Sequence, residues 1–161
     1  WQLGTVQVDY NLPDRFQLEY VAEDGTRKRP VMIHRAPFGS LERLIGILIE
    51  EYAGDFPLWL APEQVRLLPV SDEFLPFAQN AALQMQQLGI RAQADASNER
   101  LGKLIRNAEK DKIPVMAVVG AKEVESNSLS IRTRAAGELG VMPLAEVLEK
   151  VKTAISQREN L

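Results

Sequence analysis

Pro114 to Gly120 read PVMAVVG, an uncharged run bounded by a proline and a glycine. Such a run is a buried strand of the kind found where helices cover both faces of a sheet. Its neighbours supply those helices. Before it, Asn98 to Lys112 carries Leu101, Leu104, Ile105 and Ala108 at helical spacing, and beyond it Pro143 to about Glu159 repeats the pattern with Leu144, Val147, Leu148, Val151 and Ile155. Ser128 to Arg134 alternates like a strand, Val65 to Val70 and Arg91 to Ala96 read as two more, and Glu73 to Leu88 is a helix ended by Gly89. Strands alternating with helices imply an α/β domain with a mostly parallel sheet.

The pattern differs upstream. Val6 and Val8 alternate with Gln7 and Asp9, NLPDR interrupts, and Phe16 to Val21 and Pro30 to Ala36 read as strands joined through Asp24-Gly25, a pair suited to a tight hairpin. Ser40 can cap a helix running to about Ala53, ended by Gly54, with so little polar face that burial on several sides is expected. The Pro- and Gly-rich GDFPLWLAPEQ, Gly54 to Gln64, marks a boundary, giving units 1–61 and 62–161. The chain opens inside a strand pattern without methionine, so structure upstream of Trp1 is expected.

Composition bounds the function. With 161 residues, 45% hydrophobic and 25% charged, the chain can bury a core. Nineteen Lys and Arg against 22 Asp and Glu give a net charge of -3, so any nucleic-acid contact must come from a local patch. The absence of cysteine excludes disulfides and thiolate metal sites and fits a reducing, cytoplasmic setting. No apolar run reaches the roughly 20 residues of a membrane span, so no membrane association is expected.

Three constellations stand out. Arg43 falls in the first turn of the helix after Gly39-Ser40, where the helix field disfavours a cation by a few tenths of a kcal/mol. A phosphate held by the free N–H groups would resolve the conflict, and so would a structural carboxylate or plain solvent. His34, the single histidine, is either a packed residue or a metal ligand whose companions are absent, since a catalytic zinc needs three protein ligands. Arg100, Lys103, Arg106 and Lys110 form a basic stripe opposite an apolar seat, and Arg132 and Arg134 share one strand face. Together these can meet an RNA backbone, with Asn98 or Glu123 hydrogen-bonding exposed bases; a solvated helix face is the plainer alternative. The Glu50-Glu51 and Glu109/Asp111 pairs read as surface, and no glycine-rich segment matches a phosphate-binding loop or a dinucleotide fingerprint.

VMIHRAPFGSLERLIGILIEEYAGDFPLWLAPEQV, with GTVQVDYNLPDRFQLEYV before it and GIRAQADASNERLGKLIR and VVGAKEVESNSLSIRTR after it, resembles the threonyl-tRNA synthetases over essentially the whole chain. The resemblance implies the end of a class II catalytic domain, an antiparallel strand and helix remnant carrying motif 3, followed by an anticodon-binding domain with a mixed, roughly five-stranded sheet flanked by helices. It makes Arg43 the motif 3 arginine that contacts ATP phosphate. Gln2, Gln7 and Ser40 match positions around the aminoacyl-adenylate, and His34 one ligand of the zinc that binds threonine. Asn98, Glu123 and Arg132 match residues that read anticodon bases. It further implies Mg2+ with ATP, one Zn2+ per subunit, tRNA-Thr as partner and a homodimeric parent. Two departures matter: Leu3 stands where the family often has Cys, and motifs 1 and 2, the editing region and two zinc ligands are absent, so the chain alone is expected to be inactive. A regulator or accessory subunit that borrowed this domain is the rival reading; the presence of His34 and Arg43 favours the enzyme. A doubly wound small-molecule-binding domain is disfavoured, because PVSDEF supplies no glycine-rich loop after the first parallel strand.

Overall fold

The structure is a computed structural model that describes residues 4–161; the expectation for Gln2 lies outside them. The chain forms two units, one ending at Glu51 and one beginning at Tyr52.

In the first unit, β1 (Thr5–Asp9) pairs antiparallel with β4 (Met32–Ala36), placing Gln7 opposite His34. NLPDR does more than interrupt. The Asp9 carboxylate accepts the N–H groups of Asn11 and Leu12 at 2.8 and 3.0 Å and so starts a short helix, α1 (Asn11–Arg15). Phe16 to Val21 is strand only at β2 (Tyr20–Val21): Gln17 takes a φ of 52° and the Leu18 N–H bonds the Pro13 carbonyl, wrapping the segment on the end of α1. Asp24-Gly25 does turn a hairpin, but its second strand is β3 (Arg27–Lys28), separated from β4 by Pro30, which has no N–H to donate to a ladder. Helix α2 (Leu41–Glu51) has its first turn capped by the Ser40 hydroxyl, which accepts the Arg43 N–H at 3.2 Å. The burial expected for α2 is not seen among the described residues: none of its residues is buried, and Leu41 is 64% exposed.

The second unit is a five-stranded mixed sheet in the order β6-β5-β7-β8-β9. Strands β5 (Val65–Pro69), β6 (Ala92–Ala94) and β7 (Val115–Val119) run parallel, while β8 (Ser128–Thr133) and β9 (Gly137–Pro143) continue antiparallel. Alternate residues Val65, Leu67, Val115, Ala117, Leu129 and Ile131 point to one face, covered by α3 (Leu75–Gln87) and α6 (Leu144–Gln157). Leu68 and Met116 point to the other, against Leu104 and Ala108 of α4 (Leu101–Lys110). Past α4 this second face is open, and Val141, cross-strand from Ser130, is 60% exposed.

Several features differ from the sequence expectation. Helix α4 starts at Leu101 rather than Asn98, because the Asp95 carboxylate takes the Ser97 N–H at 2.9 Å and holds residues 95–99 in a turn. Glycine-rich residues 137–143 form β9, the fifth strand, and α5 (Ala121–Glu125) follows β7; neither shows a strong period. Residues 52–61 pack in the second unit. Leu58 is 1% exposed, its N–H donates to the Asn160 side chain at 3.1 Å, and Arg158 lies 5.5 Å over the Trp59 ring.

Candidate functional site

Because β5, β6 and β7 are parallel, the connections leaving their C-terminal ends converge at one end of the sheet. Asn98 lies on one of them, exposed, in the turn tethered to β5 by the Asp95 N–H to Leu67 carbonyl bond of 2.9 Å. Glu123 lies on another, at the third position of α5, where Oε2 accepts the Gly120 N–H at 3.0 Å and the carboxylate complements the helix field. Gly120 leaves room for this contact, since a Cβ there would sit 3.1 Å from Oε2. The bond uses one carboxylate oxygen, so Oε1 is left to accept from a ligand.

Arg132 is on β8, opposite Met116, and points to the open face. It therefore lies about 13 Å along the sheet from the Gly120 end, at roughly 3.3 Å per residue. Its Nη2 is 3.6 Å from Glu109 of α4 and its Nη1 is 3.5 Å from Glu138 of β9, and the side chain is 35% exposed. In the sequence Glu109 reads only as half of a surface pair with Asp111, and Glu138 is not singled out. Asn98, Glu123 and Arg132 are thus spread along a strip rather than gathered in a pocket, the arrangement suited to an extended ligand whose groups are read one at a time.

Beside the strip, Lys103, Arg106 and Lys110 are exposed on α4. Lys103 pairs with Glu99 at 2.6 Å, whereas Arg106 and Lys110 have no ion-pair partner among the described residues. Arg134 does not join them. Its guanidinium pairs with Asp55 and donates to the Lys112 carbonyl, and burial lowers its pKa. The two arginines therefore differ: Arg132, on β8, faces the open side of the sheet, whereas Arg134, just past the strand, is tied to its own unit by Asp55 and the Lys112 carbonyl.

In the first unit, Gln7, Asp9 and His34 share one face of the β1–β4 pair and line an open cleft with Tyr10 and Arg15. His34 Nε2 is 3.3 Å from Asp9 Oδ2, and the Asp9 pKa is lowered chiefly by the Leu12 N–H. One imidazole and one carboxylate fall short of the three protein ligands of a catalytic zinc, and among the described residues no group of three such side chains converges. These residues alone do not make a zinc site. Gly39 takes a φ of 66° just before the Ser40 cap of α2, and the Arg43 side chain has no partner among the described residues. That cation is free to meet an anion.

Residues 64–154 match the family described as anticodon binding domain, and residues 1–52 the class II core domain of the tRNA synthetases for G, H, P, S and T. The chain is 76% identical over 159 residues to a threonine-tRNA ligase of Synechocystis sp., covering 99% of this chain and 26% of that protein. It is 70% identical to the threonine-tRNA ligase of Synechococcus elongatus, covering 98% and again 26%. The chain thus spans about a quarter of the length of these relatives. Among solved structures, the RNA binding domain of threonyl-tRNA synthetase from Cryptosporidium parvum superposes with a TM-score of 0.80 at 30% identity, over 95% of this chain and 39% of that one. Histidyl-tRNA synthetase from Nostoc sp. matches at 25% identity with a TM-score of 0.59, over 82% and 31%. No helix among the described residues is long and apolar enough to cross a membrane.

Proposed function

The chain belongs to the anticodon-binding-domain family, joined to the end of a class II core as in threonyl-tRNA synthetases, and from that premise we propose that its second unit reads the anticodon of tRNA-Thr for a threonine-tRNA ligase. The observation that carries this is the strip of Asn98, Glu123 and Arg132 beside unpaired Arg106 and Lys110. Unstacked loop bases present donors and acceptors on their edges. The Asn98 amide offers one of each, Glu123 Oε1 accepts, and the Arg132 N–H groups donate. The α4 cations hold the phosphates, a contact that fixes register and weakens with salt.

For the whole enzyme the proposed reaction is ATP-dependent activation of threonine and transfer to the tRNA terminal ribose, in a cytoplasmic homodimer. Arg43, in the first turn of α2, holds ATP phosphate by charge, with Mg2+ accompanying the nucleotide. Gln2, Gln7 and Ser40 surround the adenylate, and His34 is one ligand of a Zn2+ that needs further ligands from elsewhere in the enzyme. The boundary at residues 61 and 62 remains our proposal for the catalytic limit in sequence.

The test is binding of the 161-residue chain to an anticodon stem-loop of tRNA-Thr and to the same hairpin with its anticodon scrambled. The expected result is a preference of about tenfold or more, 1.4 kcal/mol. Equal affinity would remove the base-reading role.

A further inference from the structure

The open sheet face holds two carboxylates where an RNA reader would be expected to hold none. Glu109 lies beside Lys110 on the exposed basic side of α4, and Glu138 is 81% exposed on β9. Each repels the phosphates that the neighbouring cations attract. Both, however, touch the same group: Glu109 reaches Arg132 Nη2 at 3.6 Å and Glu138 reaches Nη1 at 3.5 Å, one from the helix above the sheet and one from the adjoining strand.

The backbone has been altered to make the second contact. Ile131 pairs with Gly140, so regular antiparallel register would set Arg132 opposite Leu139. A bulge shifts the register there, and Arg132 faces Glu138, while Leu139 packs with the core under the other face. A bulge that keeps an apolar side chain in the core and brings a carboxylate beside a charged one re-aims side chains at the cost of a regular ladder.

We infer that Glu109 and Glu138 are positioning residues that hold the Arg132 guanidinium between them in the orientation from which it reads a base. This rests on the anticodon reading above. An unheld arginine samples many rotamers and must lose that freedom on binding; one with each terminal nitrogen facing a carboxylate has lost much of it in the free protein. The Nε–H and one hydrogen on each terminal nitrogen remain available for a ligand.

Two measurements test this on the 161-residue chain. Guanidinium NMR of the free protein reads the holding without RNA: the Arg132 terminal nitrogens show slowed rotation that Glu109→Gln and Glu138→Gln each relieve, with thermal midpoints unchanged. Hairpin binding reads the consequence. Simple electrostatics predicts that removing an acid strengthens binding to both hairpins alike. The inference predicts that the ratio of matched to scrambled affinity falls by about three- to tenfold, the range for one immobilised side chain, and that Glu109→Gln changes nothing further in an Arg132→Ala background. Parallel gains with an unchanged ratio, or free rotation of Arg132 in the wild type, would overturn it. Held rotation without hairpin discrimination by the wild type would overturn the anticodon reading, and the base-reading part of the inference with it.

Discussion

Gln64 shows how one side chain fixes the entrance to the second unit. It is fully buried, its Nε2 donates to the Leu58 carbonyl at 2.8 Å, and its Oε1 accepts the Arg91 N–H at 2.9 Å. Gln64→Leu strands one buried and one part-buried backbone group, at up to about 1–3 kcal/mol each. The expected loss is about 2–4 kcal/mol, read from the urea midpoint at constant slope. Gly120 makes the opposite case. Its φ is -123°, so alanine suits the backbone, and the Cβ would press on a movable carboxylate. Gly120→Ala should change stability by less than about 0.5 kcal/mol while weakening preference for the matched hairpin, because the Glu123 carboxylate must shift. At this scale the sequence was partly legible. The resemblance supplied Asn98, Glu123 and Arg132, but their roles depend on partners such as Gly120 and Glu138 that no local pattern announces. Gln64 looked like one more polar residue in a boundary segment.

Helix α4 was the most legible element, since its apolar and basic sides separate cleanly at helical spacing. Leu104 is 1% exposed and packs against Leu68 and Met116, so Leu104→Ala should cost about 2–5 kcal/mol in urea unfolding. Elements held by turns or by long-range pairing were harder to read. Strand β9 carries three polar or glycine residues among its first four and becomes a strand only by pairing with β8, and the split of residues 27–36 between β3 and β4 depends on which partner each half finds. The β2–β3 turn has a titration of its own. Asp24 accepts from the Thr26 hydroxyl, from Lys28 and from the Thr26 N–H, which lowers its pKa from 3.8 to about 2. A depressed folded pKa stabilises the turn above pH 3.8 and releases that support as pH falls through about 2. The Gly25 and Thr26 amide shifts should therefore titrate with a midpoint near the lower value, and Asp24→Asn should abolish the transition.

For the whole molecule, the two units differ in what holds them. The second has a core on each face of its sheet, with Val65, Leu67 and Val151 fully buried. In the first, Pro13 is the one buried residue among those described, and Val6, Val8 and Ile33 are more than half exposed. Hydrogen exchange should follow this division, with strong protection in β5, β7 and β8 and little in β1 and β4. Ion pairs add locally: Arg66 is held by Glu63 and Asp111 at 2.6 Å each, which raises its pKa.

The strand order also has a kinetic meaning. Strands β7, β8 and β9 are neighbours in both sequence and space, joined by α5 and by a connection of three residues, whereas Val65 must find Val115 across α3, β6 and α4. Closing that long loop is the entropically expensive step, so the antiparallel meander should nucleate refolding and β5 should dock late. Stopped-flow chevrons should show Ile131→Val slowing the refolding limb, while Val65→Ala mainly speeds the unfolding limb.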